Sequence, residues 1–169
     1  MLQIAEAKLK SPWDGKLTDK PIEHLIETAI DSGDWVSIHT EEPWGGSLEH
    51  LKLARKMTSK PILAKGIHAQ DKAIDKAFDA GAGYVLCVGR VCGIKNKVRV
   101  IFEPRCLADI ALFGGYYDKI MWNRRDLTTG KAKKDYWAEA RQEHGGWLGC
   151  ASLGFPFPED AQACLFSVR

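Results

Sequence analysis

The 169-residue chain has no apolar run approaching the roughly 20 residues that a membrane span requires, and its opening MLQIAEAKLK lacks the apolar core of a secretory leader. Both absences point to a soluble, cytoplasmic protein with no membrane partner. An excess of charge of one sign is missing too: 24 basic residues stand against 22 acidic ones, for a formal charge of +2. A nucleic-acid surface would show as a basic stripe, so no nucleic-acid partner is expected. Cysteine pairing signals are absent. Cys87, Cys92, Cys106, Cys150 and Cys164 form no Cys-x-x-Cys pair and no zinc-ligand spacing with histidine, so they read as reduced, packed thiols and no metal site is expected. No internal repeat, low-complexity tract or linker divides the chain. With 45% hydrophobic residues it can bury one substantial core, and one barrel-like domain over residues 1–169 is expected.

What is present is an alternation of apolar runs with helical periodicity, the pattern of βα units around a parallel sheet. Strands are predicted at Leu2 to Ala7, Trp35 to Ile38, Pro61 to Lys65 and Tyr84 to Val88. Between them lie helices carrying Ile22, Leu25, Ile26 and Ala29, then Leu48, Leu51 and Ala54, then Ala73, Ile74, Ala77 and Phe78 at helical spacing. Pro21 suits the first turn of the first helix, and Ser47 suits the cap of the second. A fifth strand is predicted at Val98 to Phe102, but only Gly89 to Lys97 precedes it, less than the dozen or so residues a helical crossover needs. A short helix around Leu107, Ile110 and Ala111, a strand at Lys119 to Trp122, a helix over Lys133 to His144 and a strand at Trp147 to Ala151 follow. Pro158 to Gln162 leaves room for barely one turn before the last apolar run, Ala163 to Val168. The pattern predicts a reduced (β/α)8 barrel with some helices short or missing, because the chain falls below the usual lower length of about 200 residues. The alternative is an open parallel α/β sheet. A further possibility is a homo-oligomer in which a second copy completes the shortened barrel.

Charged residues stand at the ends of several predicted strands, where parallel barrels keep their chemistry. In IAEAKLKSP, Glu6 and Lys8 are two apart and so share one face of a strand. From periodicity alone this pair reads sooner as a solvated strand end. PILAKG ends in Lys65 directly after three apolar residues, VIFEPRC carries Glu103, and WNRRDLTT carries Asn123, Arg125 and Asp126.

In this order, with IHTEEPWGGSLEHL between the first and third, these stretches resemble the indole-3-glycerol phosphate synthase family, from Leu2 to about Pro158. The resemblance implies a lyase of tryptophan biosynthesis. Its reaction would close the ring of 1-(o-carboxyphenylamino)-1-deoxyribulose 5-phosphate with loss of carbon dioxide and water. The partner is then a small phosphorylated aromatic substrate, and no metal or organic cofactor is required. By position, Glu6 and Lys8 would point into the barrel mouth, with Lys8 on a substrate anion. Lys65 would be the general acid, its pKa lowered by burial near other ammonium groups, and Glu103 the base during dehydration. Asn123 and Arg125 would hold the anthranilate portion, supported by Asp126, and Ser152 and Gly154 would contact substrate after the seventh strand. The sequence also departs from the family. Gly66-Ile67 stands where the family has Asp-Phe, removing an aromatic surface, and Ser152 stands at the position of a glutamate. The family's Gly-Ser pair after the eighth strand has no counterpart, leaving Lys8, Lys10 or Arg169 as phosphate contacts. The alternative function is a catalytically inactive phosphometabolite-binding or interaction protein derived from that family.

Overall fold

Near-continuous apolar runs give the strands two buried faces, and a closed barrel ringed by helices covers both. The computed structural model describes residues 1–151 and 156–169. Its barrel strands are β1 (Leu2–Ala7), β2 (Trp35–His39), β3 (Ile62–Lys65), β4 (Tyr84–Val88), β5 (Val100–Glu103), β6 (Lys119–Asn123), β7 (Trp147–Ala151) and β8 (Ala163–Ser167). Each pairs in parallel with its neighbours, and β1 pairs with both β2 and β8, so the sheet closes within the chain. The open-sheet alternative is thereby overturned, and no second copy is required to complete the barrel.

Inward positions of the strands, among them Ile4, Leu63, Leu86, Ile101, Met121 and Leu165, fill the barrel, as the fold requires of a packed interior. Trp35 and Tyr84 stack 4.2 Å apart at the N-terminal end of their strands and floor it. The alternate positions, such as Val36, Ile62, Val85, Phe102, Ile120 and Leu148, face the helices. These are α1 (Ile22–Ser32), α2 (Leu48–Met57), α3 (Asp71–Asp79), α4 (Leu107–Phe113) and α5 (Trp137–Glu143). Leu25, Ile26, Leu51 and Ile74 are fully buried in that outer layer, each worth about 1.5–3 kcal/mol of burial. Ser47 caps α2 by accepting the His50 amide at 3.2 Å.

Among the described residues, two crossovers carry no α-helix. Between β4 and β5 only a 3-10 turn forms, at Lys97–Arg99, which moves the start of β5 from the expected Val98 to Val100. Buried Cys92 and partly buried Ile94 cover the wall there instead. Tyr117 pins that loop: its hydroxyl accepts the Cys92 amide at 2.9 Å and donates to the Arg90 carbonyl at 2.7 Å, while its ring stacks on Phe102 at 4.8 Å. Between β7 and β8, among the described residues, the Ala161 amide closes a turn onto the Pro158 carbonyl. Gln162 ties this turn to β7 through its side-chain oxygen, which accepts the Leu148 amide at 2.8 Å. The fifth helix starts at Trp137 rather than the expected Lys133. Residues 125–132 fold back as a tight hairpin, and Asp135 accepts the Trp137 amide. Among the described residues no helix is long and apolar enough to cross a membrane.

Candidate active site

At the C-terminal ends of the strands the interior changes from hydrocarbon to charge. Glu6, His39, Lys65, Glu103 and Asn123 are all buried inward positions there, with exposures of 1% to 7%. Strand alternation put them in place: Glu6 follows Ile4, Lys65 follows Leu63, Glu103 follows Ile101 and Asn123 follows Met121, each two residues on. His39, Lys65, Glu103 and Asn123 line a pocket with about 380 Å³ of empty space, open solvent at its mouth included, together with Lys8, Arg125, Trp13, Trp44, Gly66, Ile67 and Leu127, and Glu6 is hydrogen-bonded to two of its lining side chains.

Glu6 is the centre of one side. Its Oε1 accepts hydrogen bonds from Lys65 Nζ at 2.9 Å and His39 Nε2 at 3.0 Å, and its Oε2 accepts from the Ser167 hydroxyl at 2.6 Å. Lys8 Nζ lies 3.9 Å from the same carboxylate. Burial alone would raise the Glu6 pKa, but Lys65, His39 and Lys8 outweigh it and hold the group well below the ordinary value. Burial would also lower Lys65, yet Glu6, then Glu103, reverse the sign and its pKa is raised. This corrects the expected lowering: the nearest neighbour of Lys65 is a carboxylate rather than another ammonium. Lys8, with only the longer contact, is lowered by burial.

Glu103 is the centre of the other side. Its Oε1 accepts from Asn123 Nδ2 at 3.0 Å, while its Oε2 is buried with no partner among the described residues. Burial raises its pKa, against the opposing pull of Lys65 and Asn123. Asn123 Oδ1 in turn accepts the Arg125 amide at 2.9 Å, so one side chain fixes both the carboxylate and the turn that carries the arginine. Arg125 reaches the pocket rim, paired with Asp14 at 2.8 Å and 5.4 Å above the Trp13 ring. Asp126 does not enter the pocket lining. It accepts the Thr128 and Thr129 amides and shapes the hairpin behind Arg125.

The structure therefore brings Lys8, Lys65, Glu103, Asn123 and Arg125 to one pocket, with Glu6 beside it, bonded to Lys65. Ser152 and Gly154 lie outside the described residues. Of the suggested phosphate contacts only Lys8 lines the pocket; Lys10 is paired with Glu42. Among the lining residues not picked out from sequence, three carry a ring: His39, Trp13 and Trp44. The two indoles meet edge to face at 6.2 Å and restore an aromatic wall despite Gly66-Ile67. His39 had a readable signal, because it sits two residues beyond Ser37 and four beyond Trp35 on the inward face of β2.

No family model matches the chain. Among curated proteins, the indole-3-glycerol phosphate synthase of Sulfurisphaera tokodaii is 36% identical over 106 residues, covering 62% of this chain and 43% of that protein. Indole-3-glycerol phosphate synthase 2 of Streptomyces coelicolor is 33% identical over 142 residues, covering 73% and 54%. The chain thus spans about half the length of the curated relatives it matches. Among solved structures, 3-keto-L-gulonate-6-phosphate decarboxylase from Vibrio cholerae superimposes with a TM-score of 0.67 at 15% identity, covering 99% of this chain and 87% of that one. The 3-hexulose-6-phosphate synthase of Salmonella typhimurium gives 0.67 at 14%, covering 99% and 89%. At such identities these likenesses speak for the barrel alone.

Proposed function

We propose that this chain, a divergent relative of the indole-3-glycerol phosphate synthases, is a carboxy-lyase that acts on 1-(o-carboxyphenylamino)-1-deoxyribulose 5-phosphate or a near analogue. The observation that carries this reading is Lys65, an ammonium held by Glu6 at 2.9 Å in a pocket whose far side holds Glu103. A lysine with a raised pKa is a fixed, protonated donor for a ketone oxygen. Arg125 and Lys8 offer the substrate's anions two cations at the rim, and the Trp13 and Trp44 rings offer its aromatic portion a wall.

The residues then divide the work. As the aromatic carbon bearing the carboxylate attacks the ketone carbon, the oxygen takes a proton from Lys65. Carbon dioxide leaves and its bonding pair restores aromaticity. Lys65, reprotonated from solvent, gives the hydroxyl a second proton so that it departs as water, and Glu103 takes the proton of the neighbouring carbon as the double bond forms. Burial of Glu103, which raises its proton affinity, suits it to that last step. The role in tryptophan biosynthesis and a cytoplasmic location follow from this reading.

The test is indole fluorescence on mixing the protein with that substrate, against a Lys65→Ala control. Turnover that vanishes in the variant supports the lyase. Substrate-dependent stabilisation against heat without any turnover supports the second reading, a metabolite-binding relative. That second reading draws on Gly66, whose position is tight for a side chain: a Cβ there would stand 3.0 Å from Thr40 Oγ1 and 3.1 Å from Glu41 Cδ, so those side chains would have to give way.

A further inference from the structure

The arginine that the lyase reading offers to a substrate anion is already held by a carboxylate of the chain itself. Arg125 Nη1 donates to Asp14 Oδ2 at 2.8 Å. A guanidinium grips a carboxylate along one of two edges, Nε with Nη2 or Nη1 with Nη2. Arg125 Nε is buried with no partner among the described residues, which closes the first edge to a ligand. The second edge is the one Asp14 occupies. The guanidinium belongs to the pocket: Arg125 lines it, the Trp13 ring of the same wall lies 5.4 Å away, and both Lys8 and Lys65 feel the Arg125 charge. Lys8 feels Asp14 as well, so this internal carboxylate stands between the two rim cations. Arg125 first, then Ser11, holds the Asp14 carboxyl below its ordinary pKa, so it is charged near pH 7. The pair is nonetheless loose, with the Asp14 side chain 49% exposed and that of Arg125 18%, and ion pairs so exposed hold weakly. Nor does the turn depend on it. Ser11 Oγ accepts the amides of Trp13 at 3.3 Å and Asp14 at 2.9 Å, and Gly130 of the facing hairpin backs the Trp13 ring so closely that a Cβ there would fall 2.2 Å from Trp13 Cγ. Asp14 can swing away while the Trp13 wall stays.

We propose that Asp14 is a specificity-determining residue of this site: it fills the seat of an aryl carboxylate on Arg125, and the ligand enters by replacing it. The inference rests on the lyase reading for the identity of that ligand, an anthranilate group. Exchange of one carboxylate for another leaves the charge of the rim unchanged, so the rim is never left with bare cations. A neutral arene meets the same indole wall but has nothing to offer Arg125 in place of Asp14, and it leaves the pair closed. An arene that carries a carboxylate gains both the open edge of Arg125 and the Trp13 ring beside it.

The experiment is equilibrium dialysis of anthranilate against the full chain, with the free ligand read by its own fluorescence. Asp14→Asn removes the competing charge and should tighten anthranilate about two- to fivefold, the range an exposed ion pair sets. Arg125→Ala should weaken binding, and in the double variant the gain from Asp14→Asn should vanish. Glu42→Gln removes the same charge from a neighbouring turn, where Glu42 pairs with Lys10, and should leave the affinity at the wild-type value. Aniline, which lacks the carboxylate, should bind the wild type and Asp14→Asn alike. An equal gain in Glu42→Gln, or an equal gain for aniline, would reduce the effect to bulk charge or to a loosened turn and overturns the proposal. Unchanged anthranilate affinity in Asp14→Asn, or no anthranilate binding by any of these forms, overturns it too, whatever the indole assay gives. Tightening in Asp14→Asn without indole formation from the full substrate sustains the proposal and sinks only the lyase reading.

Discussion

Glu6 and Glu103 sit at equivalent inward positions of β1 and β5, 1% and 2% exposed, and burial pushes both toward the protonated form. Their states are nevertheless opposite. Glu6 has Lys65, His39, Ser167 and Lys8 around it and is held as a carboxylate, whereas Glu103 has one donor, Asn123, and a raised pKa. The difference teaches that depth does not decide the role of a barrel-mouth carboxylate; the donors within reach do. One side of the mouth is a satisfied electrostatic frame, and the other is a carboxyl with raised proton affinity and few donors.

The comparison can be broken from its strong side first. Glu6→Ala leaves Lys65 buried without its partner and should cost about 3–5 kcal/mol in urea unfolding, the scale for a broken buried pair. A loss under about 1 kcal/mol would mean that Glu6 is no frame. Asn123→Ala removes the single donor of Glu103 and one acceptor of the Arg125 turn, for an expected cost of about 1–3 kcal/mol. Trp13→Ala should act on substrate more than on fold, raising KM by up to roughly tenfold through loss of an aromatic contact worth about 0.5–1.5 kcal/mol.

The smallest effect has the sharpest sign. A glutamate whose folded pKa is raised lowers stability as pH climbs from the ordinary value of 4.5, because the folded state holds its proton longer than the unfolded chain. Glu103→Gln should therefore melt above the wild type at pH 8, with the gap closing toward pH 4. Glu6 behaves in the opposite sense: its contribution is present above 4.5 and is lost as pH falls toward its depressed folded value. Glu6→Gln should melt below the wild type at pH 7, and that gap should shrink in acid. Two melting series that move in parallel would dissolve the distinction between the two sides.

Most of the frame was legible because strand alternation is local. Ile4-Ala5-Glu6 and Leu63-Ala64-Lys65 each declare an inward face, and the spare crossover after Val88 is visible as a shortage of residues. What joins distant segments was not legible. Nothing within PILAKG says that Glu6, 59 residues away, will reverse the effect of burial on Lys65. Trp13 and Trp44 sit in turns whose positions depend on tertiary packing, so their meeting at the pocket had no local signal. The boundaries of β5 and α5 moved because a 3-10 turn and a hairpin compete with the apolar pattern there.

The pairing of β1 with β8 carries a temporal consequence. Residues 2–6 leave the ribosome long before their partners at 163–167, so β1 can gain β2 early while its other edge stays open until those partners emerge. Ser167, which completes the shell of Glu6, belongs to that last partner. The frame of the mouth is thus finished by the last strand of the barrel, and a chain halted before residue 163 would present a curved open sheet with an exposed edge and an unfinished charge cluster.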